Sequence, residues 1–233
     1  MRFIYFLLIV CCFSCNNERV LLLPEIENAK VTEVLDVSPA YIFYDETQPD
    51  STLLNRKNLI ITTNWLVNVD KRLTLKQAIP HIKFLQDKKR NAEMHKNEDA
   101  KNYFSCNDTS IGNLGFLDFT DIYYKEELKI DSVYNERNIP TKENLMNMAG
   151  FHARNTIPII IKEDLKFQIG NENLNFEHLD NKMKTLTDIN FIGIHLELYF
   201  SRNLTFQDYI TIKRKINFID TDLISVDFNE YIF

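Results

Sequence analysis

From residue 157 onward the chain alternates β-rich runs with capped amphipathic stretches, and few layer architectures can bury such a series. Ile157–Ile161 and Leu165–Ile169 read as strands joined by the turn Lys162-Glu163-Asp164. Gly170-Asn171-Glu172-Asn173 turns into a helix from about Phe176 to Leu186. Phe191–Phe200 is a long strand, Thr205 caps a helix running to about Phe218, and Leu223–Phe233 is a closing strand. The order β-β-α-β-α-β predicts an α+β fold, a mixed β-sheet with helices packed on one face. Apolar residues make up 45% of the 233, with 17 Phe and 10 Tyr, enough for a packed core.

The preceding chain is less regular. Val31–Val37 and Tyr41–Tyr44 are β-rich runs separated by Ser38-Pro39, and Leu59–Thr63 and Trp65–Val69 are two further strand-like pieces. Thr74 can cap a helix whose apolar positions Leu75, Ala78, Ile79, Ile82 and Leu85 keep helical spacing, and Pro80 within it introduces a bend unless it lies near the first turn. Gln86–Asn102 interleaves both charge signs and reads as a solvated helix extension or loop, and Phe116–Tyr124 as a strand. Pro140-Thr141 opens a short helix whose Leu145, Met148, Ala149 and His152 share a face.

A shift of 131 residues lays Arg72-Leu73-Thr74-Leu75 on Asn203-Leu204-Thr205-Phe206. Over residues 59–85 this offset gives only the identities Ile61, Leu73, Thr74 and Ile79, so a decayed repeat of a β-α-β unit and coincidence both stay open.

The N-terminus carries an address. Met1-Arg2 is a short basic region and Phe3–Phe13 an uncharged apolar run, about 16 Å long as a helix and roughly half a bilayer core. This fits an export signal. Cys12-Phe13-Ser14-Cys15 then resembles the lipobox of bacterial lipoproteins, which implies lipid attachment at Cys15 and a body tethered to a membrane in the cell envelope. An ordinary signal cut nearby and an uncleaved short anchor are the alternatives. The expected division is 1–14 signal peptide, 15–55 lipidated tether and edge strands, 56–124 an α+β unit with a charged insertion at 86–113, 125–156 a connector with a short helix, and 157–233 a C-terminal α+β domain.

Composition excludes several functions. A net charge of −6 opposes nucleic-acid binding, which needs a basic face. Only Cys106 lies in the body, so no internal disulfide is expected once Cys15 carries lipid, and Cys106 reads as a packing residue. His81, His95, His152, His178 and His195 are scattered without metal-site spacing, and Asp118/Asp121 and Asp220/Asp222 lack the Gly-punctuated loop of calcium sites. No catalytic motif, metal or cofactor is expected.

IPIIIKEDLKFQIGNENLNFEHL (Ile157–Leu179) and NLTFQDYITIKRKINF (Asn203–Phe218), with the step from Phe206 to Tyr209, resemble the periplasmic domain of the ExbD/TolR biopolymer-transport family. The family's strand-end Asp falls near Ser201 and a turn Gly near Leu165, and its membrane aspartate has no counterpart in Phe3–Phe13. The resemblance implies a non-enzymatic protein that binds partners in an envelope transport or energy-transduction assembly. Strand-edge pairing with an envelope protein or a second copy is the expected mode. An exported enzyme with an unrecognised active site and a purely structural lipoprotein are the alternatives. Metabolic labelling with palmitate should mark the wild-type chain and leave Cys15→Ser unlabelled; label retained in that variant would remove the anchor.

Overall fold

The computed structural model describes residues 19–94, 96–126, 155–190, 193–217, 219 and 223–233. Cys15, the helix expected near residues 140–152, His95 and His152 lie outside them.

The α+β expectation holds: two mixed six-stranded sheets are joined through three helices. In the first sheet, β1 (Glu25–Ile26), β2 (Val37–Tyr44), β4 (Asn64–Val69) and β5 (Asn102–Asp108) run parallel to their partners, while β3 (Thr52–Asn55) and β6 (Asn113–Asp118) pair antiparallel with β2 and β5. Helix α1 (Leu75–Arg90) connects β4 to β5. The second sheet runs β10 (Glu172–Leu174), β9 (Phe167–Ile169), β8 (Asn155–Ile161), β11 (Ile194–Phe200), β12 (Ile224–Ile232) and β7 (Tyr123–Glu126). Helices α2 (Phe176–Asn190) and α3 (Phe206–Ile216) precede and follow β11. The C-terminal order matches the expectation, with the short strand β10 added where the sequence suggests only a turn.

Four details differ from the expectation. Residues 59–63 form turns closed by Leu59 N–H to Arg56 C=O and Thr63 N–H to Ile60 C=O, because the chain crosses there from an edge to a central strand. Val31 makes only an isolated bridge to Phe116, and β2 instead runs through Ser38-Pro39. Pro39 is tolerated because β3 reaches only Tyr41–Tyr44, leaving that side of Pro39 without a ladder bond to supply. The run Phe116–Tyr124 divides between β6 and β7, in different sheets. The charged stretch 86–113 contains β5, which lies inside the first sheet with Phe104 and Cys106 fully buried.

The offset of 131 residues has a structural counterpart. Leu75 N–H donates to Leu204 C=O at 2.9 Å and Phe206 N–H to Leu73 C=O at 2.7 Å; Lys76 N–H donates to Arg202 C=O and Gln207 N–H to Lys71 C=O. Each of these bonds maps onto its partner under the offset, and the two helix-capping threonines, Thr74 and Thr205, bridge antiparallel. The corners also repeat internally. Asp70 Oδ1 accepts from Arg72 N–H as Ser201 Oγ accepts from Asn203 N–H. β4-α1-β5 and β11-α3-β12 are therefore two copies of one β-α-β arrangement, joined corner to corner.

Around that junction one apolar cluster spans both units. Phe104 of β5 stacks on Phe119 at 3.7 Å and meets Phe206 and Tyr209 of α3 edge-on, so the first sheet and the second unit's helix share their largest side chains. Each helix also holds a strand of the other sheet. Gln86 and Arg90 of α1 donate to the carbonyls of Phe119, Thr120 and Ile122, which lead into β7, and Gln207 of α3 bonds Glu25 of β1 in both directions.

A shared core predicts cooperative unfolding. The fluorescence of the single Trp65, buried in the first sheet, and the far-ultraviolet circular dichroism should melt in one coincident transition. Phe104→Ala should lower the midpoint by roughly 10 °C, from a cavity cost of about 3–5 kcal/mol.

Candidate functional site

The described residues contain three clusters of polar side chains and several outer strands at the sheet edges. The most deeply buried cluster sits between α3, β12 and β7. Glu230 is fully buried; its Oε1 accepts from Lys213 Nζ and its Oε2 from Tyr209 Oη at 2.7 Å, and Tyr209 Oη lies 3.0 Å from Tyr124 Oη. Burial, reinforced by the Glu230 charge, pushes both tyrosine hydroxyls well above their usual range, so they remain protonated donors. One buried cation meeting one buried carboxylate, with a hydroxyl on the remaining oxygen, satisfies the group from within. It positions β7 on β12, since Tyr124 is the buried side chain of that strand.

The offset of 131 residues shows how unusual this cluster is beside its counterpart in the first sheet. Glu230 pairs with Leu198 as Phe104 pairs with Val67, so Phe104 holds the matching register position in the first sheet. Tyr209 and Lys213 correspond to Ala78 and Ile82. The first unit is apolar where the second is polar. Sequence reasoning missed the cluster. Its signals were a carboxylate inside the apolar closing strand and a lysine on the buried face of α3.

The second cluster lies on the outer face of the second sheet. His195 Nδ1 is 3.0 Å from Ser225 Oγ, and its Nε2 is 3.8 Å from Asp227 Oδ2. The third is the fully buried Asp70 at the end of β4. Burial opposes its ionisation, but hydrogen bonds from the Arg72 guanidinium and from the backbone N–H groups of Arg72 and Leu22 outweigh it and hold the carboxyl below its usual range. Ser201, where the family resemblance places an aspartate, instead donates to Glu163 at 2.5 Å. Leu165, where a turn glycine was expected, adopts φ +57°, the left-handed conformation that glycine takes without strain.

The other residues weighed in the sequence do not converge. His81 lies 3.9 Å from Asp50, His178 sits in the first turn of α2 with its backbone N–H donating to Asn175 Oδ1, and no group of three or more His, Cys, Asp or Glu is placed to hold a metal among the described residues. Burial drives the Cys106 thiol up to about 12, so it is not a nucleophile at neutral pH. Lys89 is buried with its ammonium over Trp65 and donating to Thr63 C=O, Lys101 C=O and Asn102 Oδ1, which ties the end of α1 to the loop before β5.

Two adjoining cavities of about 160 and 280 Å³ flank β1 and share Ile26 and Arg214. The segment beside them crosses β6 so closely that a Cβ on Gly115 would lie 2.5 Å from Ala29 Cβ. Among the described residues no helix is long and apolar enough to cross a membrane.

The edges differ in how open they are. β6 is bridged by Val31, whose C=O accepts from Phe116 N–H. β7 carries Tyr123, whose ring lies under the Arg90 guanidinium at 3.9 Å. β3 and β10 end their sheets with no further strand among the described residues. β10 carries the Glu172–Lys182 ion pair, whereas β3 presents Leu53 on the face of Phe43, and Phe84 of α1, 45% exposed, is covered by the Arg56 guanidinium at 4.6 Å. No protein-family model, curated protein or solved structure matches this chain.

Two substitutions test the buried groups. Glu230→Gln should destabilise by about 3–5 kcal/mol because it strands the Lys213 ammonium, and pairing Glu230→Leu with Lys213→Met should recover more than half of that loss in chemical denaturation. Burial pulls the Lys89 pKa down from 10.5 to about 8. The folded state therefore binds fewer protons than the unfolded state between about pH 8 and 10.5, and this lysine's contribution makes stability rise across that window and not below it. Trp65 fluorescence should titrate with a midpoint near 8, and Lys89→Met should abolish the step.

Proposed function

We propose that this chain is a non-enzymatic, lipid-anchored protein of the bacterial cell envelope, ExbD/TolR-like in residues 157–233, that works by binding another envelope protein in a transport or energy-transduction assembly. The observation carrying this reading is that both sheets end in an unpaired strand, β3 in the first and β10 in the second, among the described residues. An unpaired edge offers a row of backbone donors and acceptors to an extended segment of a partner. The lipobox-like Cys12-Phe13-Ser14-Cys15 supports membrane attachment through Cys15, and the β8–β12 order supports the family comparison.

A second reading, an exported hydrolase, draws on Ser225, His195 and Asp227. It is the weaker one, because the carboxylate stands 3.8 Å from the imidazole and so does not make the hydrogen bond that orients a general base.

A photo-crosslinking residue placed at Leu53 or Asn173 in intact cells should give an adduct with a second envelope protein from at least one of the two edges. Adducts with no other protein at either edge would overturn the reading. Ser225→Ala should leave those adducts unchanged.

A further inference from the structure

We infer that the outer face of the second sheet, opposite α2 and α3, is a docking face whose occupant is residues 127–154 of the same chain. The inference concerns the second unit alone and does not rest on the envelope-partner reading.

The strands of this sheet present two sets of side chains. Ile159, Leu198 and Phe200 join Leu179 of α2 and Ile210 of α3 in the main apolar cluster, so both helices lie on that inner face. The alternate residues point the other way, where no helix packs among the described residues. Yet Ile160 and Tyr199 are buried there, in a separate cluster with Tyr231 and Phe233, and Tyr231 stacks on Tyr199 at 4.6 Å. A tyrosine on a sheet face open to water keeps one side of its ring wet, so burial this complete needs a cover.

The path of the chain names that cover. β8, β11, β12 and β7 are parallel neighbours, so Glu126 ends β7 level with Ile232 and Phe200, whereas Asn155 opens β8 level with Ile194. The link between them must return about 20 Å along the strands and cross about 14 Å past β12 and β11. Crossovers between parallel strands of one sheet are right-handed in nearly every case. α2 carries the chain from the β8 hairpin to β11 and α3 carries it from β11 to β12, both on the inner face and both stepping the same way across the sheet. The link from β7 to β8 steps the opposite way, and a right-handed turn therefore takes it over the outer face.

The sequence of the link suits that path. Its spacing predicts a helix over Pro140–His152, about 20 Å long at about 1.5 Å per residue, which matches the return along β8. The shared face of that helix runs Leu145, Met148 and Ala149, then His152. The sheet face changes in the same sense: a chain returning from the end of β7 meets Ile160, Tyr199 and Tyr231 first and Thr156, His195 and Ser225 last. An apolar-to-polar segment is thus laid along an apolar-to-polar surface.

Cysteine pairs in the full chain, treated with a short bis-maleimide, test the docking. Glu197 is partly exposed at the middle of the outer face, and Lys184, with its side chain 65% exposed on α2, marks the other side of the sheet. Met148→Cys with Glu197→Cys should link within one chain at least about tenfold more than Met148→Cys with Lys184→Cys, and Cys106 should stay silent because it is buried. Equal yields, or a larger yield at Lys184, would overturn the inference. A link to Glu197→Cys found only between two chains would overturn it as well, since the face would then belong to a second copy. If Glu197→Cys does not fold, Ser225→Cys takes its place in the same comparison. None of these outcomes touches the envelope-partner reading, which is decided by adducts with a different protein at Leu53 or Asn173.

Discussion

Four backbone hydrogen bonds between Leu73–Lys76 and Leu204–Gln207, with their flanking carbonyls at Lys71 and Arg202, hold the two halves of this protein in one frame. They form where each half leaves its central strand and enters its helix, so the bonds fix the start of α1 and the start of α3 at once. At each corner, four N–H groups at a helix N-terminus need partners outside the helix. Here each helix finds some of them in the other unit's chain: Leu75 and Lys76 use Leu204 and Arg202, and Phe206 and Gln207 use Leu73 and Lys71. A helix start that depends on a second helix start ties local order to the assembly of both units, and the fully buried Leu73, Leu75, Leu204 and Phe206 then close over the bridge.

The symmetry of the frame stops at the core. Where the first unit places Phe104, Ala78 and Ile82, the second places Glu230, Tyr209 and Lys213, and the small Ala78 goes with the aromatic Tyr209 reaching Phe104 from across the junction. A side chain that serves two units cannot remain the same in both. Near a two-fold axis identical large groups would collide, so one copy gives up volume while the other gains it. The polar pair in the second unit is held by complete pairing: Glu230 receives both Lys213 and Tyr209, and Tyr209 in turn meets Tyr124.

The repeated corner was legible because its cause is local. Thr74 and Thr205 cap helices, and the apolar spacing after each is set by the face that packs on a sheet. The strands β8, β11 and β12 were legible for the same reason, as long β-branched and aromatic runs. Features decided across the fold could not be read. Phe116–Tyr124 is one β-rich run by composition, yet β5 takes its first part and β12 its last, because two sheets compete for it. β5 itself, Asn-Tyr-Phe-Ser-Cys-Asn-Asp, looks polar beside a charged stretch, and only its neighbours β4 and β6 make Phe104 and Cys106 central. The Glu230 cluster joins residues from three elements, and no spacing along one element reports such a meeting. The lipobox reading concerns Cys15 and rests on the amino-acid sequence alone.

A further difference between the two units lies just beyond the leading hairpin of each. In the second unit β9 and β10 lead into α2, and Phe176 at its start packs on Phe167 of β9. Leu54 occupies the register position of Phe167 in the first unit: each pairs with the strand residue, Ile42 or Ile161, that opposes the end of the central strand. There the chain turns through residues 56–63 with no helix. The helix beside it differs in the same region. Ile212 and Ile219 are buried in the second unit, while His81 and Lys88, the residues 131 positions earlier, are partly or fully exposed. Phe84 departs from that trend. It stands 45% exposed at the position of Lys215, whose ammonium lies over Phe176 of α2. Along the margin that no helix covers in the first unit, Phe84 and Ile60 are exposed apolar groups beside the polar His81 and Lys88, so the two units differ in side-chain character where one has α2 and the other has only turns.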